Sequence, residues 1–289
     1  MGKAKWPLSF AIANPPCPRS NLRRKFPNSS PAALDIKTVC AHFLAFLLDL
    51  SRNKPKISAL YIKVFEFNFV RANMKDIAIF GAGGFGKEVA CFINLINKSK
   101  GGQIWNFIGF FDDNEKLIGS EVSRYGKVLG TSETLNAWDK ELDLAVAIGN
   151  PAAIKSVVQK IKNPNIDFPN LCPQNGFSVD DSYSIGKGNI IQGGSFLSCD
   201  VKIGNFNVLN GSVVFGHDVV VGDCNVFMPA TRISGKVKIG DCNLFGVGSI
   251  VLQGLDIGNN IKLSPGSVLM AKPKDGNLYI GNPAKKFNY

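Results

Sequence analysis

From Ile185 to Leu269 an aliphatic residue or Phe stands at every sixth position, fifteen slots in all, and no slot is polar. Within this series the pairs Ile185-Gly186, Ile203-Gly204, Val221-Gly222, Ile239-Gly240 and Ile257-Gly258 recur every eighteen residues. Six is too short for a helical repeat and has the wrong spacing for an amphipathic helix, but it suits a short strand followed by a corner. Three strands and three corners close a triangular coil, and successive coils stack in parallel about 4.8 Å apart. Residues eighteen apart must then lie above one another. Asn189, Asn207, Asn225 and Asn243 form one such column, predicted to hydrogen-bond along the stack, and Cys224 and Cys242 form another, read as small-residue packing. Val179 continues the six-residue register upstream, whereas Pro173 does not.

Before the repeats the pattern changes. KDIAIF reads as a buried strand, GAGGFG as a turn and KEVACFINLIN as a helix with one apolar side. Gly81, Gly83 and Gly86 satisfy GxGxxG, a turn that lets backbone N–H groups approach a diphosphate. A second strand, WNFIGFFDD, ends in Asp112 and Asp113, placed to meet a ribose hydroxyl or another ligand donor. Only LDLAVAIGN and the helix PAAIKSVVQKIK remain before the Pro- and Asn-rich stretch 162–176. That is one mononucleotide half and not two, which favours a nucleoside diphosphate carrying a sugar over NAD. The fold class is therefore α/β plus β, with a Rossmann-like parallel-sheet domain over 74–168 and a parallel β-helix over 169–289.

Charge and cysteine content narrow the class further. The net charge of +11 is concentrated at the start: residues 1–73 hold 12 of the 33 Lys+Arg and 3 of the 22 Asp+Glu, leaving 21 against 19 for the remainder. The folded part is nearly neutral and carries no basic stripe with interleaved aromatics, so nucleic acid is not an expected partner. Residues 1–73 are unassigned; the preferred reading is that Met74 begins the functional protein and the basic extension is a start-site artefact or an arm, with a transit peptide or membrane-surface arm as the alternative. Its apolar run 39–50 is shorter than the ~20 residues of a membrane span. Seven cysteines without CxxC spacing, and only His42 and His217 as histidines, predict reduced, buried thiols in a cytoplasmic protein with no metal site.

His217 falls at the third position of its hexad, on a wall or corner and not in the inward slot. Asp218 follows it and can fix the imidazole tautomer, while Gly235, eighteen residues on, stacks bare backbone one coil above, where an N–H can polarise an acyl oxygen. No Ser or Cys is placed beside His217 by sequence, so direct transfer is expected.

The strings NGSVVFGHD, the following VGD, ISGKVKIGD and YIGNPAK, in this order behind a Gly-rich βα turn, resemble the nucleotide-sugar and sialic acid O-acetyltransferase family over about residues 74–287. The resemblance implies a left-handed β-helix, a homotrimer with active sites between neighbours, and acetyl-CoA as co-substrate with no permanently bound cofactor. It implies acetylation of the 4-amino group of a nucleotide-linked amino sugar, in surface polysaccharide synthesis. By resemblance the catalytic base falls on His217 and its supporting acid on Asp218. Sugar-nucleotide contacts fall on Gly83, Gly84, Phe85, Asp112, Asp113 and Gly130, and acetyl-CoA contacts on Val226, Gly235, Val247 and Pro265. Phe85 departs from the pattern, since many members carry His there, and Lys155 stands where Arg is common. Sialic acid or other sugar O-acetylation is the alternative acceptor chemistry, and a noncatalytic nucleotide-sugar-binding or assembly module is the alternative of another class.

Overall fold

The computed structural model describes residues 74–99, 104–173 and 176–287, all within one compact unit, Lys63–Tyr289. The expectations on residues 1–73, with Cys17, Cys40, His42 and the apolar run 39–50, lie outside the described residues.

The α/β part runs β1 (Lys75–Phe80), α1 (Gly84–Ser99), β2 (Trp105–Phe111), β3 (Val128–Gly130), α2 (Ser132–Asn136), β4 (Leu142–Val146), α3 (Pro151–Lys160) and β5 (Ile166–Asp167). The five strands are parallel in the order β3-β2-β1-β4-β5. The strand order therefore reverses at β1, and the loops after β1 and β4 open onto the crevice where α/β sheets bind ligands. α1 starts three residues earlier than its sequence pattern predicts, inside the Gly-rich turn. Gly86 makes this fit, because a β-carbon there would collide with the carbonyl oxygen of Gly81. Pro151 opens α3, where its missing N–H costs nothing, and Asn150 caps it by accepting the Ala153 N–H at 3.2 Å.

The coil part is the predicted stack, a left-handed parallel β-helix built of two-residue strands. Its first face carries Ile190–Ile191, Val208–Leu209, Val226–Phe227, Leu244–Phe245 and Lys262–Leu263. The second carries Phe196–Leu197, Val214–Phe215, Arg232–Ile233, Ile250–Val251 and Val268–Leu269, and the third runs from Ser184–Ile185 to Asp256–Ile257. Fourteen of the fifteen slots, from Ile191 to Leu269, are no more than 4% exposed; Ile185, at the open end, is only partly buried. The Phe slots stack inside the prism, with Phe227 and Phe245 face to face at 4.7 Å.

The Asn column is a continuous ladder. Each amide from Asn189 to Asn243 is fully buried. Asn225 Nδ2 donates to Asn207 Oδ1 at 3.0 Å and to Gly240 O at 2.9 Å, while its Oδ1 accepts from Asn243 N and Nδ2, both at 2.9 Å. Asn170 starts the ladder and the Ile261 N–H ends it. A second column on the same edge, which the sequence reading did not pick out, joins Asn205, Asp223, Asp241 and Asn259, each side chain accepting the N–H of its counterpart one coil earlier.

Every corner also needs a left-handed residue. From Gly188 to Gly266 the described corners, spaced by six, have φ between 55° and 75°, and most are not glycine; Phe206, Asp218 and Lys236 are among them. The Gly of the Ile-Gly pairs serves another need: a β-carbon on Gly222 would lie 2.8 Å from Gly240 O in the next coil.

Two expectations need correction. In the first coil the pairing is offset, with Leu171 opposite Ile190 and Ser178 opposite Leu197, nineteen apart. Phe177 and Tyr183 pack against the core, and Val179 is 58% exposed and not in an inward slot. The expectation of uniformly buried thiols holds for Cys224 and Cys242 but not for Cys91, which is exposed and hydrogen-bonded to Tyr125 Oη at 2.8 Å. Burial pushes the Cys224 thiol up to about 12, aided by neighbouring Cys242, so it is a packing group and not a nucleophile.

Candidate active site

The first face of the prism is covered by the α/β domain: Val208, Val226 and Leu244 share one apolar cluster with Phe80, Phe111 and Val146. His217 follows Val214–Phe215 of the second face and precedes Val220–Val221 of the third. It therefore stands on the edge opposite the face that carries the α/β domain.

On that edge the chain turns at Asp218 (φ 58°), anchored by its N–H to Cys199 O at 3.0 Å. The turn directs the Asp218 carboxylate back to the ring, with Oδ2 2.7 Å from His217 Nδ1. Accepting from Nδ1–H leaves Nε2 with a free lone pair, the state a general base requires. Both side chains are about half exposed, 45% for His217 and 50% for Asp218. Gly235 lies directly above, and a β-carbon on it would sit 2.5 Å from Nε2.

The Gly235 N–H has no acceptor among the described residues, whereas its neighbours Ser234 and Lys236 bond Val251 O and His217 O. On the edge that holds the second Asn/Asp column, the equivalent N–H groups of Asn205, Asp223 and Asp241 are all taken by side chains. The equivalent N–H groups of Cys199, His217 and Gln253 on the same edge are likewise without an acceptor among the described residues, and of these donors the one on bare Gly235 lies beside the half-exposed imidazole, where a donor can stabilise a developing oxyanion.

The second cluster lies at the carboxyl ends of β1, β2 and β3. Gly83 and Gly84 have open space where a β-carbon would be, so the N-terminus of α1 is accessible to an anion. Asp112 holds this loop: Oδ2 accepts the Ala82 N–H and Oδ1 the Asn114 N–H, each at 2.9 Å. Its own N–H reaches Gly130 O at 3.0 Å. Asp113 accepts the Ser132 N–H at 3.0 Å and pairs with Lys160 Nζ at 2.7 Å. Burial acts to raise the Asp113 pKa, but Lys160 and Ser132 outweigh it and hold the carboxyl below its usual range. Both carboxylates thus already serve the loops that surround the cleft.

Residues 76–161 match the family model of the PglD N-terminal domain. The structure is similar to the acetyltransferase domain of PglB from Neisseria gonorrhoeae FA1090 in complex with acetyl coenzyme A, at 25% identity over 74% of this chain and 100% of that one, with a TM-score of 0.64. The chain shares the two-part fold of these acetyltransferases. WeeI from Acinetobacter baumannii AYE is similar to the same extent, 25% identical over 74% of this chain and 100% of its own, with a TM-score of 0.65. PerB from Caulobacter crescentus, in complex with CoA and GDP-perosamine, shares the fold at 24% identity over 74% and 97%, with a TM-score of 0.62. No curated protein sequence matches the chain significantly.

Within this acetyltransferase architecture the expected site residues form three groups and not one. His217, Asp218 and Gly235 meet on one edge. Gly83, Gly84, Phe85, Asp112, Asp113 and Gly130 gather at the Gly-rich loop. Val247 and Pro265 stand one above the other on the edge between the first and second faces, with the Gly266 N–H bonded to Val247 O at 2.8 Å. Val226 faces the α/β domain and is 1% exposed. No group of three or more potential metal ligands occurs among the described residues, and no described helix is long and apolar enough to cross a membrane.

Proposed function

We propose that the protein transfers the acetyl group of acetyl-CoA to the 4-amino group of a nucleotide-linked amino sugar, with His217 as general base. The observation that carries this reading is the His217–Asp218 pair beneath the unbonded Gly235 N–H. His217 Nε2 takes a proton from the acceptor amine as the nitrogen attacks the thioester carbonyl. The C–N bond forms, the tetrahedral oxyanion is held by the Gly235 N–H, and the C–S bond breaks to release CoA thiolate. A positioned base contributes roughly 10²- to 10⁴-fold and one oxyanion donor roughly 10²- to 10³-fold.

Two copies make one site. The edge that bears His217 faces away from the α/β domain of its own chain, so its base serves a sugar nucleotide held by a neighbour. A trimer meets this need, since each copy then offers one catalytic edge and one nucleotide loop. The second face supplies an apolar contact surface through Phe196, Val214, Ile250 and Val268, of which Phe196 is 39% exposed. In this arrangement the diphosphate lies on the start of α1 near Gly83, Gly84 and Phe85, with Asp112, Asp113 and Gly130 around the nucleoside. Acetyl-CoA runs past Val247 and Pro265 to Gly235. Val226 supports this assembly from the domain interface. We place the enzyme in the cytoplasm, where acetyl-CoA and sugar nucleotides are both available.

The test is CoA release on mixing the protein with acetyl-CoA and a panel of UDP- and GDP-linked amino sugars. His217→Ala should lose at least ~10²-fold in turnover and keep its unfolding midpoint. Near-normal turnover by His217→Ala would remove the assignment.

A further inference from the structure

The corner beside His217 carries charge. Asp200, Asp218, Lys236 and Gly254 stack at eighteen-residue intervals, and all four are left-handed and exposed. The backbone fixes this stacking: the Asp218 N–H bonds Cys199 O at 3.0 Å, and the Lys236 N–H bonds His217 O at 2.8 Å. Lys236 therefore sits one coil above Asp218, about 4.8 Å along the prism, and directly follows Gly235. We propose that the Lys236 ammonium stabilises the thiolate that forms on the acyl donor's sulfur as the C–S bond breaks; the proposal rests on the acetyl-transfer reading above.

The ammonium is unclaimed. The Lys236 side chain makes no ion pair or hydrogen bond with any described residue, although a carboxylate stands one coil below it. That carboxylate, Asp218, is engaged by His217 Nδ1 at 2.7 Å. The lysine charge is thus left for a ligand.

The reach fits the reacting end of the donor. A thioester carbonyl that accepts from the Gly235 N–H lies beside His217 Nε2, since a β-carbon on Gly235 would be 2.5 Å from that nitrogen. Lysine on the next residue carries a compact charge on a long flexible stem, enough to meet the sulfur bonded to that carbonyl carbon. The donor's phosphates lie further off, beyond the pantetheine arm.

The charge is also needed there. His217 Nε2 takes the amine proton, the C–N bond forms, and the Gly235 N–H holds the oxyanion. The electron pair of the C–S bond then passes to sulfur, which none of these groups faces as a cation. A positive charge about 6 Å away lowers the barrier to that step.

Single-turnover acetyl transfer tests the proposal, run at saturating acetyl-CoA and at saturating acetyl-pantetheine, which lacks the phosphates, with the panel of amino-sugar nucleotides. Lys236→Gly suits the left-handed corner, as Gly254 does one coil on, so it removes the ammonium and keeps the stack. This variant and Lys236→Met should lose on the order of 10-fold in rate with both donors, at thermal midpoints near wild type, while Lys236→Arg keeps most of the rate. Lys238→Met removes an equal charge from the third face, opposite Asp256, and should keep the wild-type rate. A defect confined to acetyl-CoA overturns the proposal, since Lys236 would then hold phosphates. Wild-type rates in Lys236→Gly and Lys236→Met overturn it too, as does a matching loss in Lys238→Met, which would report only the general field of the surface. A wild-type protein that acetylates no acceptor on the panel overturns the acetyl-transfer reading itself, which separates the two failures.

Discussion

Gly235→Ala probes the proposed catalytic edge with one methyl group. The added carbon would lie 2.5 Å from His217 Nε2 and 2.8 Å from Cδ2, against an optimum of about 3.5–4.0 Å for non-bonded heavy atoms. The imidazole must therefore move by about 1 Å, and a displacement of that size costs on the order of 10²-fold in rate. Gly235 does not have the left-handed backbone of the corner residues, so alanine adds no conformational strain of that kind. Its N–H is retained. Turnover at saturating acetyl-CoA and acceptor should fall ~10²-fold, with the thermal midpoint close to wild type. Wild-type turnover from a folded variant would refute the claim that the bare backbone at Gly235 sets the position of His217. A loss of turnover matched by a collapse in the midpoint would show that Gly235 serves the coil and not the chemistry.

Other consequences concern stability. Asn225→Ala leaves Asn243 N and Gly240 O without partners, while Asn243 Nδ2 keeps Gly258 O; at about 1–3 kcal/mol for each buried group left unpaired, denaturant unfolding should show a loss of at least about 2 kcal/mol. The carboxyl of Asp113, held low by Lys160 and the Ser132 N–H against its burial, stabilises the fold fully above its ordinary pKa of 3.8 and less as pH falls through its lower folded value. Asp113→Asn should therefore be less stable at neutral pH and show a shallower loss below pH 3.8 than the wild type. Gly86→Ala forces a methyl against the Gly81 carbonyl, and should lower the unfolding midpoint even though alanine is the better helix former.

The inward slots were legible because burial acts on every sixth side chain from Ile191 to Leu269, and the same indexing set Gly235 over His217 and aligned the Asn ladder. What escaped the sequence depends on backbone, or on which face meets what. The left-handed corners are occupied by Asp, Phe, Lys, Cys and Ser as well as Gly, since the ladder hydrogen bonds impose the conformation and residue type hardly reports it. The second Asn/Asp column mixes two residue types that share only a side-chain oxygen, so it looks like unrelated surface polarity. Asp112 and Asp113 read as free ligand carboxylates, and their ties to Ala82, Asn114, Ser132 and Lys160 come from loops brought together only in the folded domain. Val226, an acetyl-CoA contact by resemblance, occupies an outward slot that the docking of the α/β domain on the first face buries. Val179 failed because the first coil pairs nineteen apart, where the junction absorbs one extra residue.

The separation of the His217 edge and the Gly-rich loop onto opposite sides of one chain also sets the decisive measurement. Gly84→Asp adds a carboxylate where nothing lies within 4 Å of the new β-carbon, and repels a diphosphate from the start of α1. Neither His217→Ala nor Gly84→Asp alone should acetylate a sugar nucleotide. Co-expressed under separate tags and purified for oligomers that contain both, the two variants should regain acetyl transfer, since some sites pair an intact His217 with an intact loop. Mixed oligomers as inactive as either parent would contradict the account of a site shared between copies.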